Sequence, residues 1–597
     1  MEFFHMISQP SQATDFDIVI IGGGPSGTTL ASLVKKYNPD LSILILEKEK
    51  FPREHVGESQ LPGISSILDE MEVWDKVESA NFPIKLGGSY TWGSDNDAWD
   101  FDFYPAEEFS DEARPAKFEG QRKHTAFQVE RDRYDEILLR HAEEHFGTVV
   151  REETMVREIM REGDRVTGLK LDSGEVITAR HYVDGSGHPA LLRKAMGVET
   201  RAPDDLKNVA FWDYYDNATW AVEIGIGGTR VQVRSLPYGW IWFIPLGPSR
   251  ASVGLICPSD YYKKTGKTPK EVYLQAIQEQ KEIHALLKDA KSSTDGNVLT
   301  TKNWSHLADR LAGENWWIIG EAGGFADPIL AAGMTLAHGS ARHAAYSILE
   351  IERGADEAWI KKFYDEKNRR NIEQHIRFAK YWYAANGCFT DLQEHCQAIA
   401  KDAGLKLNPS QAWRWLAQGG FSNQSIESAA FGAFDLGSSK KLVEIFSGKE
   451  SKFNMAKFND FTLNLKNTTE IKQGKLINGK IEQVTCYQRG ENILPYTGIW
   501  KQMIDILKTE SDLQSIVERI QSGVAMNTIG GARNIKVFQF IQTLEAMLVD
   551  GWVLGKRNKS RPLMNLEAGG RMIRSAKAGR EAIEESDVSS KYFVFED

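Results

Sequence analysis

Three glycines lie at the spacing that binds the phosphates of a dinucleotide. Gly22, Gly24 and Gly27 form a G-x-G-x-x-G pattern that overlaps the end of the apolar run DIVIIGGG. In such a pattern the first glycine permits a tight turn, the second lets the backbone approach a pyrophosphate, and the third lets a helix pack closely on a strand. The N-terminus of that helix carries a partial positive charge, which favours a phosphate. These residues therefore predict a dinucleotide site.

The elements that position the glycines can be predicted from the flanking residues. DIVII is a short, β-branched run typical of a buried strand, and Leu30, Leu33 and Val34 follow at helical spacing. A second apolar strand, SILIL, leads to Glu47. A carboxylate at this point accepts hydrogen bonds from ribose hydroxyls and repels a 2′-phosphate. A plain glycine turn would not require this acidic residue.

Three segments further along the chain favour FAD over NAD as the dinucleotide, and the first two contribute a helix and a strand end. FQVERDRYDEILLRHA begins a helix that carries Arg131 close to Gln128. HYVDGSG places Asp184 and a pair of glycines at the end of a strand, where a second close backbone approach becomes feasible.

A third segment supplies another strand and the start of a long helix. WWIIGEAGGFADPILAAGM contains Gly320, Asp327 and Gly333, and we predict that the helix begins near Gly333. Its N-terminal amides would point at a ring system and could bind an anion. Asp327 is a candidate contact for the ribityl chain.

The order of these motifs resembles that of the FAD-dependent class A oxygenases, the group of para-hydroxybenzoate hydroxylase, over residues 15 to about 350. The resemblance implies an α/β fold, a Rossmann-like FAD-binding domain with an inserted β-sheet substrate lobe. Here Glu321 replaces the Asp that usually follows Gly320. The candidate cofactor-binding residues are Gly22, Gly24, Pro25, Ser26, Gly27, Glu47, Lys48, Arg53, Gln128, Arg131, Asp184, Gly320, Asp327, Gly333 and Met334.

Four further segments together resemble the flavin-dependent halogenases, particularly the branch that acts on phenols and pyrroles. They are FPREHVGESQLP, IKLGGSYTWG, KNVAFWDYYDNA and GWIWFIPLG. The resemblance implies that reduced FAD, O2 and chloride or bromide give hypohalous acid, which travels to a separate substrate site. Two alternatives stay open: a class A monooxygenase that hydroxylates an aromatic substrate, and a flavin-binding protein without turnover.

Trp240, Trp242 and Lys85 are the candidate catalytic residues. In an extended strand Trp240, Trp242 and Ile244 share one face. The two indoles are either ordinary core or, as the resemblance implies, a partition that keeps substrate away from the flavin. The Lys85 amine would hydrogen-bond hypohalous acid or form a haloamine, which orients the halogen against one ring carbon. A solvated strand end is the alternative for Lys85.

The turn after Asp327 departs from the tryptophan halogenases. Where they carry Glu-Ser-Thr-Gly, this chain has Leu330, Ala331, Ala332 and Gly333. Losing the glutamate argues against free tryptophan as substrate and favours a phenol, whose own hydroxyl activates the ring. Losing the hydroxyl leaves halide binding to the backbone N–H groups of Ala332, Gly333 and Met334, so the choice between chloride and bromide stays open.

We predict two regions. Residues 1–350 form the FAD-binding module, with the sheet lobe at about 80–125 and 200–300, and residues 351–597 form a mainly helical region. No second G-x-G-x-x-G lies between a strand and a helix, which fits reduced FAD supplied by a separate flavin reductase. The substrate is predicted as a small aromatic, free or bound to a carrier protein, and a homodimer is considered. Seven aromatics are candidates for the substrate pocket or the lobe core: Trp92, Trp99, Phe211, Trp212, Tyr214, Tyr215 and Trp220.

The composition of the chain argues against several classes of binding partner. The net charge of −11 over 597 residues argues against nucleic acid, and no apolar stretch is long enough to predict a membrane span. The four cysteines have no metal-ligand spacing, and we predict no metal site. Few, unpatterned cysteines and the lack of a recognisable secretion signal predict a cytoplasmic protein.

Overall fold

A computed structural model describes residues 14–247, 250–402, 436–448, 453–490, 492–525, 532–564 and 572–593. Up to residue 352 the strands are β1 Phe16–Ile21, β2 Ile43–Leu46, β3 Ile84–Thr91, β4 Ala98–Asp102, β5 Ala126–Phe127, β6 Val149–Arg151, β7 Val156–Glu162, β8 Arg165–Leu171, β9 Val176–Ile177, β10 Ala179–Asp184, β11 Thr200–Arg201, β12 Asn208–Asp216, β13 Val222–Ile224, β14 Gly228–Leu236, β15 Gly239–Pro245, β16 Ala251–Pro258, β17 Lys291–Ser292, β18 Leu299–Lys302, β19 His306–Ala308, β20 Trp316–Ile318 and β21 Gly324–Phe325. The α-helices of this part are α1 Pro25–Tyr37, α2 Pro62–Glu70, α3 Trp74–Ser79, α4 Arg131–Glu144, α5 Leu191–Ala195, α6 Ser259–Thr265, α7 Pro269–Glu279, α8 Lys281–Leu286 and α9 Gly333–Glu352.

Beyond residue 352 the described chain contains both helices and strands. The helices are α10 Glu357–Ala384, α11 Gln393–Asp402, α12 Leu436–Ser447, α13 Gly498–Leu507, α14 Leu513–Ala525, α15 Ala532–Val549 and α16 Ala576–Glu584. The strands are β22 Asp460–Leu463, β23 Thr469–Ile477, β24 Lys480–Arg489, β25 Asn492–Pro495, β26 Val553–Lys556, β27 Ile573–Ser575 and β28 Ser590–Tyr592. Within the described ranges, each helix is too short or too polar to cross a membrane.

A five-stranded parallel sheet carries the predicted dinucleotide site. Its strand order is β6-β2-β1-β10-β20, and α1 follows β1 directly. The last four residues of β1 and all of β2 are buried, as the apolar runs predicted. Ligands of such sheets bind at the carboxyl ends of the strands where the strand order reverses, here beside β1. The predicted α/β class and its β1–α1–β2 unit are confirmed.

The lobe is a large mixed sheet whose central path is β17-β12-β16-β15-β14-β3-β4-β27. β27 and β28 come from the C-terminal part of the chain, and they pair with β4 and β13. The C-terminal region therefore completes the lobe's sheet as well as covering it. The division at residue 350 stays a prediction, since α9 runs across it.

A β-bulge in β3 decides which face of the lobe Lys85 occupies. Lys85 and Gly87 pair with the adjacent β14 residues Thr229 and Arg230, so Leu86 is the extra residue. Tyr90, five positions after Lys85, would lie on the opposite face of an unbroken strand. With the bulge, both lie on one face, because their β14 partners are four residues apart. That face is also the face of Trp242, which pairs with the same β14 residue as Tyr90.

Candidate functional site

The three glycines meet at the turn between β1 and α1. Gly22 has a φ of +107°, and a Cβ there would lie 2.4 Å from the carbonyl oxygen of Gly185. A Cβ on Gly27 would lie 2.1 Å from the carbonyl oxygen of Gly22. α1 begins at Pro25. The first amide N–H groups of a helix have no partner within the helix, so those of α1 can bind a ligand. The structure thus brings the glycine motif and the D-G-S-G segment together at one helix N-terminus.

Gly24 has a different environment from its neighbours. A Cβ placed on it would meet only one atom within 4 Å, Nη2 of Arg53 at 3.3 Å, and its φ of −72° suits any residue. The space above Gly24 is therefore open, as a phosphate site requires.

The variant Gly24→Ala should separate folding from FAD binding. We expect the free energy of unfolding to change by no more than about 1 kcal/mol, because only the helix N-cap is affected. FAD affinity should fall at least about tenfold, because the methyl group enters the phosphate space. Titration with FAD measures the affinity, and thermal unfolding of the protein measures the change in stability. Gly27→Ala is the contrasting control, since its methyl group strikes backbone and should cost folding itself. Unchanged FAD affinity in Gly24→Ala would contradict the assignment.

Glu47 lies at the end of β2 with its carboxylate turned towards the glycine turn. Oε2 accepts the Gly23 N–H at 2.8 Å and Oε1 accepts the Glu49 N–H at 2.9 Å. A carboxylate has further lone pairs, so these bonds leave capacity for a ribose hydroxyl. Lys48, next in the chain, is half-exposed and pairs with Glu49 at 3.1 Å.

Arg131 and Arg53 converge on one buried carboxylate. Arg131 donates to both oxygens of Asp135 at 2.8 and 2.9 Å and to the carbonyl of Val56 at 2.9 Å. Arg53 lies 3.5 Å from Asp135. The two guanidinium groups therefore hold the loop after β2 against α4, and Arg53 also places positive charge beside Gly24.

Gln128 supplies an independent indication of a ligand. Its side chain is fully buried, and neither its amide oxygen nor its amide nitrogen has a hydrogen-bond partner in the described part of the chain. Buried amides are normally paired, because burying an unpaired one costs about 1–3 kcal/mol. An unpaired amide beside the loop held by Arg131 fits a polar ligand such as a dinucleotide.

Asp184 is buried at the end of β10 and serves its own loop. It accepts hydrogen bonds from the Ser186 hydroxyl at 2.6 Å and the Arg193 N–H at 3.0 Å. Burial raises the pKa of this carboxyl above its ordinary value. The structure thus places Asp184 as a brace for the D-G-S-G loop, which in turn packs on Gly22.

The G-E-A-G-G segment lies between β20 and α9. Gly320 has a φ of +60°, and its N–H donates to the Ser340 hydroxyl at 2.9 Å. A Cβ on Gly320 would lie 3.1 Å from the Ser26 hydroxyl, so this segment also reaches the start of α1. Glu321, which stands in place of the usual Asp, lies 3.7 Å from His188, and its pKa is held low by nearby histidines although burial opposes this.

Asp327 is fully buried and caps the short turn Pro328–Leu330, with Oδ1 accepting the Ile329 N–H at 3.0 Å. Tyr383 Oη donates to Oδ1 and Trp304 Nε1 donates to Oδ2, each at 3.3 Å. Burial raises the pKa of Asp327 to about 6, and these donors oppose the rise. Its side chain is therefore engaged with protein groups from three separate segments.

The predicted halide residues form the N-terminus of α9. Ala331 adopts a left-handed backbone with φ +52°, Ala332 is the N-cap, and Gly333 and Met334 begin the helix. The first N–H groups of a helix lack intrahelical partners and favour an anion. The three residues thus form one continuous turn beside the Asp327 cap.

Trp240 and Trp242 lie on one face of β15, as predicted, with ring centroids 6.1 Å apart. Both belong to a large buried cluster that also includes Ile329, Ala332 and Leu336. Trp240 Nε1 donates to Tyr383 Oη at 2.8 Å, and Trp242 Nε1 donates to the Ser252 hydroxyl at 3.1 Å. The indoles therefore belong to the core, and Trp240 is linked through Tyr383 to Asp327, which caps the turn before the predicted halide residues.

Lys85 is 2% exposed and lies inside the lobe. Its Nζ donates to the Gln60 carbonyl at 2.9 Å and lies 5.4 Å from the ring centroid of Phe103, which is in the same cluster as the indoles. Burial lowers its pKa to about 7. The amine is therefore partly uncharged near neutral pH, which makes it a nucleophile.

The predicted aromatic lining is divided between two cores. Trp212 and Tyr214 lie in the cluster of Trp240 and Trp242, whereas Phe211 and Tyr215 lie in a cluster against α7. Trp92 and Trp99 are buried among aromatics of α10, and Trp220 borders the α7 cluster. Strand alternation explains the division of the β12 aromatics.

Three neighbours of the candidate site were not predicted from the sequence. Tyr383 contacts both Trp240 and Asp327, Gln60 offers the carbonyl that binds Lys85, and Glu58 accepts the Tyr214 hydroxyl at 2.9 Å. Gln60 and Glu58 lie in the quoted segment GESQLP, which could have suggested them. Tyr383 stands among several aromatics of a long helix, and no local signal distinguishes it.

Comparison with known proteins identifies relatives of the whole site region. The profile of the family described as tryptophan halogenase matches residues 17–114 and 104–392. A 1H-pyrrole-2-carbonyl peptidyl-carrier-protein chlorinase of Pseudomonas fluorescens is 30% identical over 391 residues, covering 63% of this chain and 85% of the relative. A tryptophan 2-halogenase of Chondromyces crocatus is 31% identical over 404 residues, covering 66% and 73%. The crystal structure of CmlS, a flavin-dependent halogenase, shares the fold with a TM-score of 0.67 and 22% identity over 93% of this chain and 98% of that chain.

Proposed function

This chain belongs to the tryptophan halogenase family, and on that premise we propose that it halogenates an electron-rich aromatic ring through Lys85. It is a flavin-dependent halogenase, an oxidoreductase that uses FAD and a halide. The observation that carries the proposal is the buried amine of Lys85, on the sheet face shared with Trp242.

The residues of the glycine turn fit FAD. The open space at Gly24 would admit its phosphates. The remaining lone pairs of the Glu47 carboxylate and the unpaired side-chain amide of Gln128 would bind its polar groups. Reduced FAD, when bound, supplies with O2 the oxidising power that converts halide to hypohalous acid. The N–H groups at the start of α9 would bind the halide, because that helix end favours an anion.

Lys85 then carries the halogen. Its neutral amine attacks the halogen of hypohalous acid, so an N–halogen bond forms and the O–halogen bond breaks. The departing hydroxide takes a proton from the amine and leaves as water. The ring carbon next attacks the halogen and the N–halogen electron pair returns to nitrogen. The nitrogen takes up a proton as the ring loses one, which restores the amine. A compact amine orients this transfer better than a spread guanidinium would.

A phenol is the substrate class that we propose. In the halide turn Leu330 stands where the family's glutamate would assist an indole, and a phenol activates its own ring. A pyrrole bound to a carrier protein is the second candidate, because relatives named for that substrate are 30% and 27% identical to this chain. A separate reductase would supply reduced FAD, since no second dinucleotide motif follows a strand in the sequence.

The test is the mass of the product. The protein is incubated with FAD, a flavin reductase, NADH, bromide or chloride, and in separate reactions a phenol, or a pyrrole-2-carbonyl group loaded on a carrier protein. Replacement of a ring hydrogen by halogen in the phenol supports the proposal. If only the carrier-bound pyrrole is halogenated, the substrate class is a carrier-bound pyrrole and not a phenol. Oxygen insertion without halogen would overturn the activity.

The pH profile tests the state of the Lys85 amine. Because burial lowers its pKa to about 7, the amine is charged at pH 6 and mostly neutral at pH 8. Halogenated product per NADH oxidised should therefore rise with pH and reach half its maximum near pH 7. NADH oxidation by the reductase alone is the control for each pH. A yield that falls across this range would show that the ammonium form acts, and would contradict transfer through an N–halogen bond.

A further inference from the structure

A chain of buried hydrogen bonds joins the tryptophan pair to the predicted halide turn. Trp240 Nε1 donates to Tyr383 Oη at 2.8 Å, and Tyr383 Oη donates to Asp327 Oδ1 at 3.3 Å. Trp304 Nε1 donates to Asp327 Oδ2, also at 3.3 Å. The four side chains are each no more than 4% exposed and come from separate segments of the chain. Buried polar networks of this kind specify a unique geometry when every member is paired.

Asp327 transmits this geometry to the start of α9. Its Oδ1 accepts the Ile329 N–H at 3.0 Å, and the Ala331 N–H donates to the Pro328 carbonyl at 2.8 Å. The turn then passes through the left-handed residue Ala331 to the N-cap, Ala332. Rotation of the Asp327 carboxylate would therefore move the backbone that aims the first N–H groups of the helix.

The donors also limit the effect of the carboxylate's charge. An ionised carboxylate near a helix N-terminus competes with an anion for the same positive potential. Tyr383, Trp304 and the Ile329 N–H donate hydrogen bonds to the carboxylate oxygens of Asp327. Such charge-assisted bonds stabilise the ionised carboxylate and fix its position. Without the Tyr383 hydroxyl, Asp327 keeps the bonds from Trp304 and the Ile329 N–H but loses one of the donors that fix Oδ1. The carboxylate is then held less firmly, and we expect the halide to bind less well.

We propose that Tyr383 is a positioning residue for the halide, which acts through Asp327 on the N-terminus of α9. This inference rests on the proposed halide site at Ala332, Gly333 and Met334. It concerns a residue of α10 that contacts neither the glycine turn nor Lys85 in the hydrogen bonds of the described chain.

The variant Tyr383→Phe tests the proposal by separating KM for bromide from kcat. We expect KM to rise at least about tenfold, because a hydrogen bond to a charged group is lost. kcat at saturating bromide should fall less than threefold. Tyr364→Phe is the matched control: it lies on the same helix and loses a buried hydroxyl bond to the Ile318 carbonyl, 2.7 Å long, away from Asp327. A purely structural effect would appear equally in both variants.

A double-mutant cycle with Asp327→Asn identifies the route. If Tyr383 acts through Asp327, Tyr383→Phe should have little further effect on KM for bromide once Asp327 is Asn. The bromide-dependent rise in melting temperature of the protein with oxidised FAD gives a second readout without turnover, and it should shrink in Tyr383→Phe but not in Tyr364→Phe. A wild-type KM in Tyr383→Phe, or equal effects of that change in both backgrounds, would overturn the inference. Failure of the wild-type protein to halogenate would instead overturn the proposed function.

Discussion

Replacing Lys85 by alanine is expected to lower halogenated product at least about 1,000-fold, because the oriented transfer of halogen is lost. FAD binding and NADH consumption should continue, since the glycine turn that holds the cofactor is untouched. Product mass and NADH oxidation, measured in the same reaction, check both statements. Retained halogenation would remove Lys85 from its proposed role.

Lys85→Met is the control for folding, because it fills the same buried space without a charge. The folded-state pKa of Lys85 is lowered from 10.5 to about 7, so the unfolded chain binds more protons between these values. The stability of the wild-type protein should therefore rise with pH over this window, whereas that of Lys85→Met lacks this dependence. We expect the variant to melt higher than wild type at pH 6, with the difference shrinking towards pH 10. If Lys85→Met melts below wild type at pH 6, burial of the Lys85 amine does not destabilise the folded protein, contrary to our expectation.

Removing the bulk of the tryptophan pair is the second large effect that we expect. In Trp242→Ala the halogenated product per NADH oxidised should fall at least about tenfold, because the proposed partition opens and the reactants lose their alignment. The free energy of unfolding should also fall by about 3–5 kcal/mol, as for other buried Trp→Ala changes. Thermal unfolding and the product-to-NADH ratio are measured together, with FAD stoichiometry as a check on the fold.

Phenylalanine at the same position distinguishes a partition from a hydrogen-bonding role. The indole N–H of Trp242 donates to the Ser252 hydroxyl at 3.1 Å, a hydrogen bond that Phe cannot make. If bulk is what matters, Trp242→Phe should keep most of the product-to-NADH ratio. A ratio as low as that of Trp242→Ala would show that the indole N–H, and not the barrier, is required.

The alternatives considered from the sequence are settled by the family to which the chain belongs. Monooxygenase and non-catalytic flavin-binding protein share the glycine motif with a halogenase, so Gly22, Gly24 and Gly27 alone could not separate them. The four further segments favoured a halogenase but left both alternatives open, and the family model that matches residues 17–114 and 104–392 decides between them. Substrate class and the role of Lys85 remain proposals with the tests given above.

Local sequence was sufficient for everything that depends on short-range geometry. The β1–α1 turn is set by glycine conformations and helix polarity within a few residues, and the shared face of Trp240 and Trp242 follows from strand alternation. Glu47 could be placed because it ends the next parallel strand.

Only the tertiary structure decided where Lys85 points and what Asp327 touches. The face of Lys85 depends on a bulge at Leu86, which exists in the pairing of β3 with β14, more than 140 residues away. Asp327 meets Tyr383 across 56 residues, and Tyr383 meets Trp240 across 143. Such contacts arise when separate elements pack, and the periodicity of a single strand or helix carries no information about them.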